Sequence, residues 1–307
     1  MKGKKRLLAI SGSLALILSI FGGLWFWRSV GSQPPPSISK EREMAQYRRI
    51  LAVSPALQEI VLALAPPEQI VAVSASSKNS PIPEVAQAAR AVAGEVSERP
   101  STEEMLALDP DIVLMPVVFS RAQADLLADM KVNVVPLGIP NSYEELKARI
   151  MLIADALGLS DKGRALTTTM DQKIAMVHEK NQRIRRPKLV IAYSLNGAFG
   201  RKNGSFDNIC KEAGAVNGGG VLNLKQGEHL SKEQVVALNP DVILCGRAIE
   251  GSALHQEILR DPAFQEVKAV KNHRVVLVED RYLSSVTQSF ADAVEAVSRI
   301  VYPEVWE

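Results

Sequence analysis

The sequence predicts an α/β protein built as two three-layer α/β lobes with mostly parallel sheets, joined by one long α-helix. Three observations predict it. Short apolar runs alternate with helical patterns of ten or so residues, the arrangement that builds parallel sheets covered by helices. A block of residues in the first half recurs in the second half at a fixed offset. Between the two copies, residues 142–186 read almost entirely as helix.

The linking segment opens with Ser142-Tyr-Glu-Glu145, a capping box in which the serine hydroxyl and the glutamate carboxylate satisfy free amides of the first turn. Leu146, Ile150, Ile153, Ala154 and Leu157 follow at helical spacing and form one apolar face until Gly158-Leu-Ser160 interrupts it. A second run of roughly 25 residues, about 37 Å if helical, starts at Ser160-Asp161 and carries Ala165, Met170, Ile174 and Val177. Arg183, Arg185 and Arg186 close it, where the helix dipole favours cations, and Pro187 cannot continue it. The expected organisation is residues 1–36 as membrane anchor or signal with a Pro-rich spacer, 48–141 as first lobe, 142–187 as linking helices and 188–307 as second lobe.

In the first lobe, Ile50-Leu-Ala-Val53 is a strand that passes through Ser54-Pro55, N-cap and first helical residue, into a helix over 56–65. A strand at 70–73 and a loop at 74–83 follow. Ser101-Thr-Glu-Glu104 caps a short helix, 111–115 is the next strand, Ser120-Arg-Ala-Gln123 caps another helix, and 132–136 is a further strand. In the second lobe, 188–193 is a strand ending at Ser194, a helix begins at Ser205-Phe206, and 274–279 is a late strand. An amphipathic helix over 284–301 carries Ala291, Val294, Val297 and Val301 on one face.

The strongest signal is the repeat. Ser101-x-Glu103, Leu108, Pro110-Asp111 and Leu114 recur as Ser231-x-Glu233, Leu238, Pro240-Asp241 and Leu244, each displaced by 130 residues. In each copy a proline stops a short helix and an aspartate begins a strand. One supersecondary unit on each side of a long helix implies two similar lobes with a cleft between them.

The net charge of +2 is set by the N-terminus: residues 1–28 hold Lys2, Lys4, Lys5, Arg6 and Arg28 and no acid, so 31 cations face 34 acids in the remainder. No basic stripe for nucleic acid follows. Residues 7–27 contain no charge and follow four cations. That length suits a membrane-spanning helix with its N-terminus in the cytoplasm and the rest of the chain outside. A cleaved secretory signal is the rival, with Val30-Gly31-Ser32 as the small-residue site. Gln33-Pro-Pro-Pro36 and the charged stretch after it read as a semi-rigid spacer. Cys210 and Cys245 lack metal-site spacing and are expected reduced and buried.

Arg49-Ile-Leu-Ala-Val-Ser54-Pro55-Ala-Leu-x-Glu59, Gly94, the first Ser-x-Glu with Leu-x-Pro-Asp111, Leu157-Gly-Leu and the second Ser-x-Glu with Asn-Pro-Asp241 together resemble the helical-backbone class of ABC-transporter substrate-binding proteins, carriers of cobalamin, haem or ferric siderophores. The resemblance covers residues 48–304. It implies two lobes around a ligand cleft with little hinge motion, an ABC permease and its ATPase subunits as partners, a metal-chelate or tetrapyrrole ligand, a monomer, and no catalysis and no resident cofactor. It also implies that Glu103 and Glu233 dock the lobes onto permease arginines. One departure is the absence of a cysteine near residue 30, where many relatives carry a lipid.

In α/β sheets ligands bind beyond the C-terminal strand ends. That selects Ser54, Pro55, Lys78, Phe119, Arg121, Tyr193, Phe199, Arg201, Arg247 and Tyr282, with residues 225–229, His229 above all, as a further candidate. The aromatics suit a large flat ligand and the cations an anionic one. Charge therefore favours a ferric siderophore or haem over neutral cobalamin. A zinc or manganese carrier needs about three histidines converging on one ion, and only His229 falls in a cleft position. A membrane-anchored α/β enzyme is the other rival, but no nucleophile elbow, P-loop or His-Glu-x-x-His helix is present.

Overall fold

A computed structural model describes residues 47–194, 197–247 and 251–307, without the side chains of 118–120, 251 and 252. The expected anchor and spacer lie outside the described residues. Among the described residues no helix is long and apolar enough to cross a membrane.

The first sheet holds β1 (Ile50–Ala52), β2 (Ile70–Ala72), β3 (Ile112–Pro116) and β4 (Asn133–Leu137) in the order β2-β1-β3-β4, all parallel. The second holds β5 (Leu189–Ser194), β6 (Gly197–Phe199), β7 (Val216–Asn217), β8 (Val242–Gly246) and β9 (Val275–Val278). There β7, β5, β8 and β9 are parallel in the same relative order, and β6 folds back antiparallel on β5. The sequence repeat is therefore a repeat of topology.

The central strands are buried on both faces, which is why they read as unbroken apolar runs. Ile50, Ala52, Ile112 and Leu114 point to one core, and Leu51, Val113 and Met115 point to another. In the second sheet Val190, Ala192, Val242 and Leu244 join the same first core, while Ile191, Ile243 and Cys245 belong to a third. That common core is filled from between by the linking helices Tyr143–Ala156 and Ser160–Asn181 and by the closing helix Phe290–Val301. Tyr143 stacks on Phe290 at 5.5 Å, and its hydroxyl donates to Asp171 at 2.8 Å. Gly158 takes φ +70° where the chain turns between the two linking helices, a conformation glycine adopts at little cost.

The repeated Pro-Asp has one job in both lobes. Asp111 Oδ2 accepts from the amides of Arg48 and Arg49 at 3.0 Å, and Asp241 Oδ2 accepts from the Leu189 amide at 2.8 Å. Each carboxylate thus pins the start of the neighbouring strand, not of its own. The residues before the prolines, Asp109 (φ 44°) and Asn239 (φ 50°), are both left-handed, which turns the chain sharply out of the short helix. Gly94 answers a different need: a Cβ there would lie 2.0 Å from the Val71 carbonyl, because residues 94–96 run against β2.

Several sequence expectations are corrected. Only Ser231 and Gln234 complete a capping box. Ser101 and Ser142 cap their helices at 3.2 and 3.1 Å, but Glu104 turns its carboxylate to Ser97 and Glu145 to the Asn141 amide. Position 120 does not begin a helix, since it falls inside Val117–Asp129, whose N-cap is Pro116. The expected loop at 74–83 contains the helix Ala75–Lys78, and the helices Pro83–Ala91 and Gly251–Arg260 are additional to the elements expected from the sequence. The closing helix begins at Phe290, and 283–289 is an irregular strap. Cys210 and Cys245 are free and buried, and burial pushes the Cys245 thiol up to about 12.

Burial opposes ionisation of Asp241, yet the Leu189 amide, Arg186 and Lys268 together hold its carboxyl below the ordinary 3.8. A carboxylate of depressed folded-state pKa adds stability that is present above its unfolded value and disappears as pH falls through the folded one. Asp241→Ala is therefore expected to lower unfolding free energy by about 1 to 3 kcal/mol at pH 7. Its deficit against the parent protein, measured by urea titration, shrinks below pH 3.8. An equal deficit at pH 7 and at pH 2.5 contradicts the strand-pinning role.

Candidate functional site

A cavity of about 890 Å³ opens between the lobes. From the first lobe, Val53 to Leu57 line it at the end of β1, Pro116 at the end of β3, and Leu137 to Pro140 at the end of β4; Glu98, Arg99, Pro100 and Gln123 complete that wall. The second lobe contributes Phe199 to Arg201, Gly204 to Phe206 and Lys225 to His229. Arg149 of the linking helix and Leu283, Ser284 and Val286 of the strap close the back.

Local folding explains each wall. Pro55 occupies the first helical position behind Ser54, whose hydroxyl accepts from the Leu57 amide at 3.4 Å, so the chain leaves β1 directly into a helix at the cavity edge. Phe199 and Phe206 stand with ring centroids 6.2 Å apart and offer an aromatic wall. Gly200 between them has φ +115°, and a Cβ would meet Asn217 and Phe206 at 2.9 Å, so a side chain is excluded at this bend. Arg201 donates to Asn141 Oδ1 at 3.3 Å across from the first lobe.

The strap is bolted to the first lobe. Glu59 accepts hydroxyl hydrogen bonds from Thr287 at 2.5 Å and Ser289 at 2.6 Å, and its own carbonyl accepts from Gln288 at 3.1 Å. Ser205 donates to the Ser285 carbonyl at 2.6 Å, and Asn208 donates to the Asn141 carbonyl at 2.8 Å. Polar groups from both lobes thus meet at the same short segment behind the cavity.

Charge in the lining is unbalanced toward cations: Arg99, Arg149, Arg201 and Lys225 face Glu98 and Glu228. Glu98 is engaged by the amide and hydroxyl of Ser76 at 2.9 and 2.8 Å, and Glu228 by the Lys225 amide at 2.8 Å. Arg149 is held below its usual 12.5, at about 10, by burial. His229 is the histidine of the described lining, and among the described residues no cluster of His, Cys, Asp and Glu is arranged to hold a bare metal ion.

Of the residues expected at the cleft, Ser54, Pro55, Phe199, Arg201 and His229 line this cavity. Lys78 is turned away and pairs with Glu95 at 3.2 Å. Tyr193 packs edge-on against Phe264 in the outer core of the second lobe. Tyr282 lies under the Arg281 guanidinium against the common core, and Arg121 and Arg247 are exposed outside the described lining. The Phe119 side chain lies outside the described residues. The strand-end rule overreaches because the chain enters the helix Ala75–Lys78 soon after β2, and because Tyr193 belongs to β5 itself and faces the outer core. Arg149 carries a signal that pattern reading passed over, a cation three residues after Leu146 and four before Ile153 on the apolar face of its helix.

Glu103 and Glu233 stand at the second helical positions of Thr102–Ala107 and Lys232–Leu238. Both are exposed, and among the described residues neither forms an ion pair. Each carboxyl is held below its ordinary value by its own backbone amide and by the capping serine. Pro100 and His229, which precede these acids by three and four residues in sequence, line the cavity, whereas the acids themselves are outside the described lining.

Residues 50–282 match the periplasmic binding protein family, and the chain belongs to it. A Bacillus subtilis protein described as an uncharacterized ABC transporter substrate-binding lipoprotein is 24% identical over 273 residues, 85% of this chain and 82% of its own. The apo structure of a periplasmic haem-binding protein from Roseiflexus sp. RS-1 superposes with a TM-score of 0.72 at 23% identity, covering 84% of this chain and 99% of that one. A Haemophilus influenzae molybdate-binding protein superposes at 0.71 with 18% identity over 85% and 88%.

Removal of the Glu59 carboxylate tests how the strap is held. Hydrogen bonds to a charged group contribute about 1.5 to 3 kcal/mol each. Glu59→Ala is expected to cost roughly 2 to 4 kcal/mol, read as a lower Tm, and to raise hydrogen exchange at Thr287 and Ser289 before the sheets respond. Exchange unchanged at the strap would exclude the bolt.

Proposed function

We propose that this chain is the extracytoplasmic substrate-binding component of an ABC importer, and that its cargo is an anionic iron complex, a ferric siderophore or haem. The observation that carries the reading is the cavity between the lobes. Its volume of about 890 Å³ is at the upper end for a small-molecule site, its wall carries the Phe199 and Phe206 rings, and its cations outnumber its acids. A large, flat, acidic cargo meets those three properties together, whereas neutral cobalamin gains nothing from the cations. The family membership supports capture and delivery over turnover, and His229 offers an axial nitrogen to a metal with an open position. Among the described residues a bare zinc or manganese ion would find one imidazole in the lining and no cluster of converging carboxylates. Residues 7–27 are read as the membrane attachment and the chain as a monomer.

The test is a titration of the full chain in detergent with haem, a ferric catecholate siderophore and cobalamin, followed by visible absorbance and calorimetry. One iron-containing complex is expected to bind per chain with sub-micromolar affinity. Arg201→Ala weakens it several-fold, and His229→Ala shifts the haem absorbance if haem is the cargo. Tight cobalamin binding that ignores Arg201 contradicts the charge argument; turnover of a substrate without complex binding contradicts the carrier reading.

Glu103 and Glu233, one exposed acid per lobe at matching positions of the repeat, are assigned to permease docking. Glu103→Arg combined with Glu233→Arg is expected to abolish uptake in cells while Tm and cargo affinity stay at parental values. A double variant that transports normally, or that loses cargo binding instead, removes the docking role.

A further inference from the structure

The helix Tyr143–Ala156 gives the cavity wall a single described residue, Arg149, and its environment is unusual for a guanidinium. Nη2 donates to the Val286 carbonyl and Nη1 to the Gly138 carbonyl at 3.4 Å, while Nε is shut off from solvent with no acceptor. Among the described residues no carboxylate pairs with it, and burial alone accounts for its depressed pKa. Neutral carbonyls fix the orientation of the fork but leave its charge uncompensated. Taking such a charge out of water is costly unless an opposite charge arrives. The other lining cations differ: Arg99 and Lys225 are exposed, and Arg201 has the Asn141 side chain within reach.

We propose that Arg149 is the anion-anchoring residue of the cavity and that the ligand presents to it a carboxylate or comparable oxyanion. The inference deepens the carrier reading above and rests on it for the cavity's role. A planar guanidinium matches a carboxylate in a paired, directional contact that a lysine ammonium cannot reproduce. Its position also matters. Gly138 leaves the first sheet, Arg149 sits on the linking helix and Val286 belongs to the strap, so an anion bound there engages a residue that already ties the first lobe, the linking helix and the strap together.

The test uses the full chain in detergent, the parent protein, Arg149→Gln and Arg149→Lys, with three probes: haem with free propionates, haem dimethyl ester, and citrate as a metal-free oxyanion. The expected result is an affinity of Arg149→Gln for free-acid haem about ten to a hundred times lower than the parent's. Its affinity for the ester is unchanged, and the Tm rise caused by citrate is lost. Arg149→Lys keeps the charge without the fork and falls between the two; if Arg149→Gln does not fold, the acid-to-ester affinity ratio of Arg149→Lys carries the test. Equal losses for acid and ester, or no loss for the acid, overturn the anchor and leave Arg149 a structural link. Binding of citrate through Arg149 without either porphyrin overturns the haem cargo and keeps the anchor. No stabilisation of the parent by any oxyanion-bearing probe overturns the anchor itself.

Discussion

The structure depends on one constraint: both sheets bury a face against the same layer of helices. Ile50, Ile112, Val190 and Val242 belong to two different sheets, yet they share a core with Ile150, Ile174 and Val294. Domains joined by a small polar contact move freely, whereas a large apolar one holds them together. Separating these lobes would expose the inner faces of the linking helices and the closing helix at once. At about 25 cal/mol per Å² of apolar surface, that is a heavy cost even for a modest opening. Packing on the far side of the molecule thus opposes separation of the lobes.

Around that core, polar groups set the finer geometry. The strap at 283–289 has no regular structure to satisfy its backbone, and its acceptors and hydroxyls are taken up by Arg149, Ser205 and Glu59. Glu59 comes from the first lobe and Ser205 from the second, so one segment serves as a common floor. The cation excess of the lining is displayed above that floor, and complementary charge raises both encounter rate and selectivity. Where the charge is buried, as at Arg149, the environment asks for a partner; where it is exposed, as at Arg99, water already supplies one.

The internal repeat shows how one solution is used twice. Asp111 and Asp241 each stitch a strand start to the loop after a short helix, and the left-handed residues before Pro110 and Pro240 make the turn that allows it. Ser101 and Ser231 cap those helices with nearly equal geometry. The two lobes differ where they build the cavity. The second adds the antiparallel β6, which carries Phe199 into the cavity, and the first supplies its wall from the ends of β1, β3 and β4.

The parallel α/β class, the repeat and the helical link were legible in the sequence because each rests on local periodicity or punctuation. Apolar runs, capping serines and helix-stopping prolines act within a few residues of themselves. Strand ends and loops alone point to Ser54, Pro55, Phe199, Arg201 and His229, all of which line the cavity. Lys78, Arg121, Tyr193, Arg247 and Tyr282 lie elsewhere, since a strand end says where a chain emerges but not which way the next turn takes its side chains. Glu59 could be seen as a motif residue, but its partners Thr287 and Ser289 lie more than 220 residues away in sequence. Arg149 looked like one more charge on an amphipathic helix. Only the tertiary structure brings Gly138, Val286 and the cavity to its guanidinium, because burial and the lack of a counter-charge are properties of packing between distant segments and leave no local trace in the order of residues.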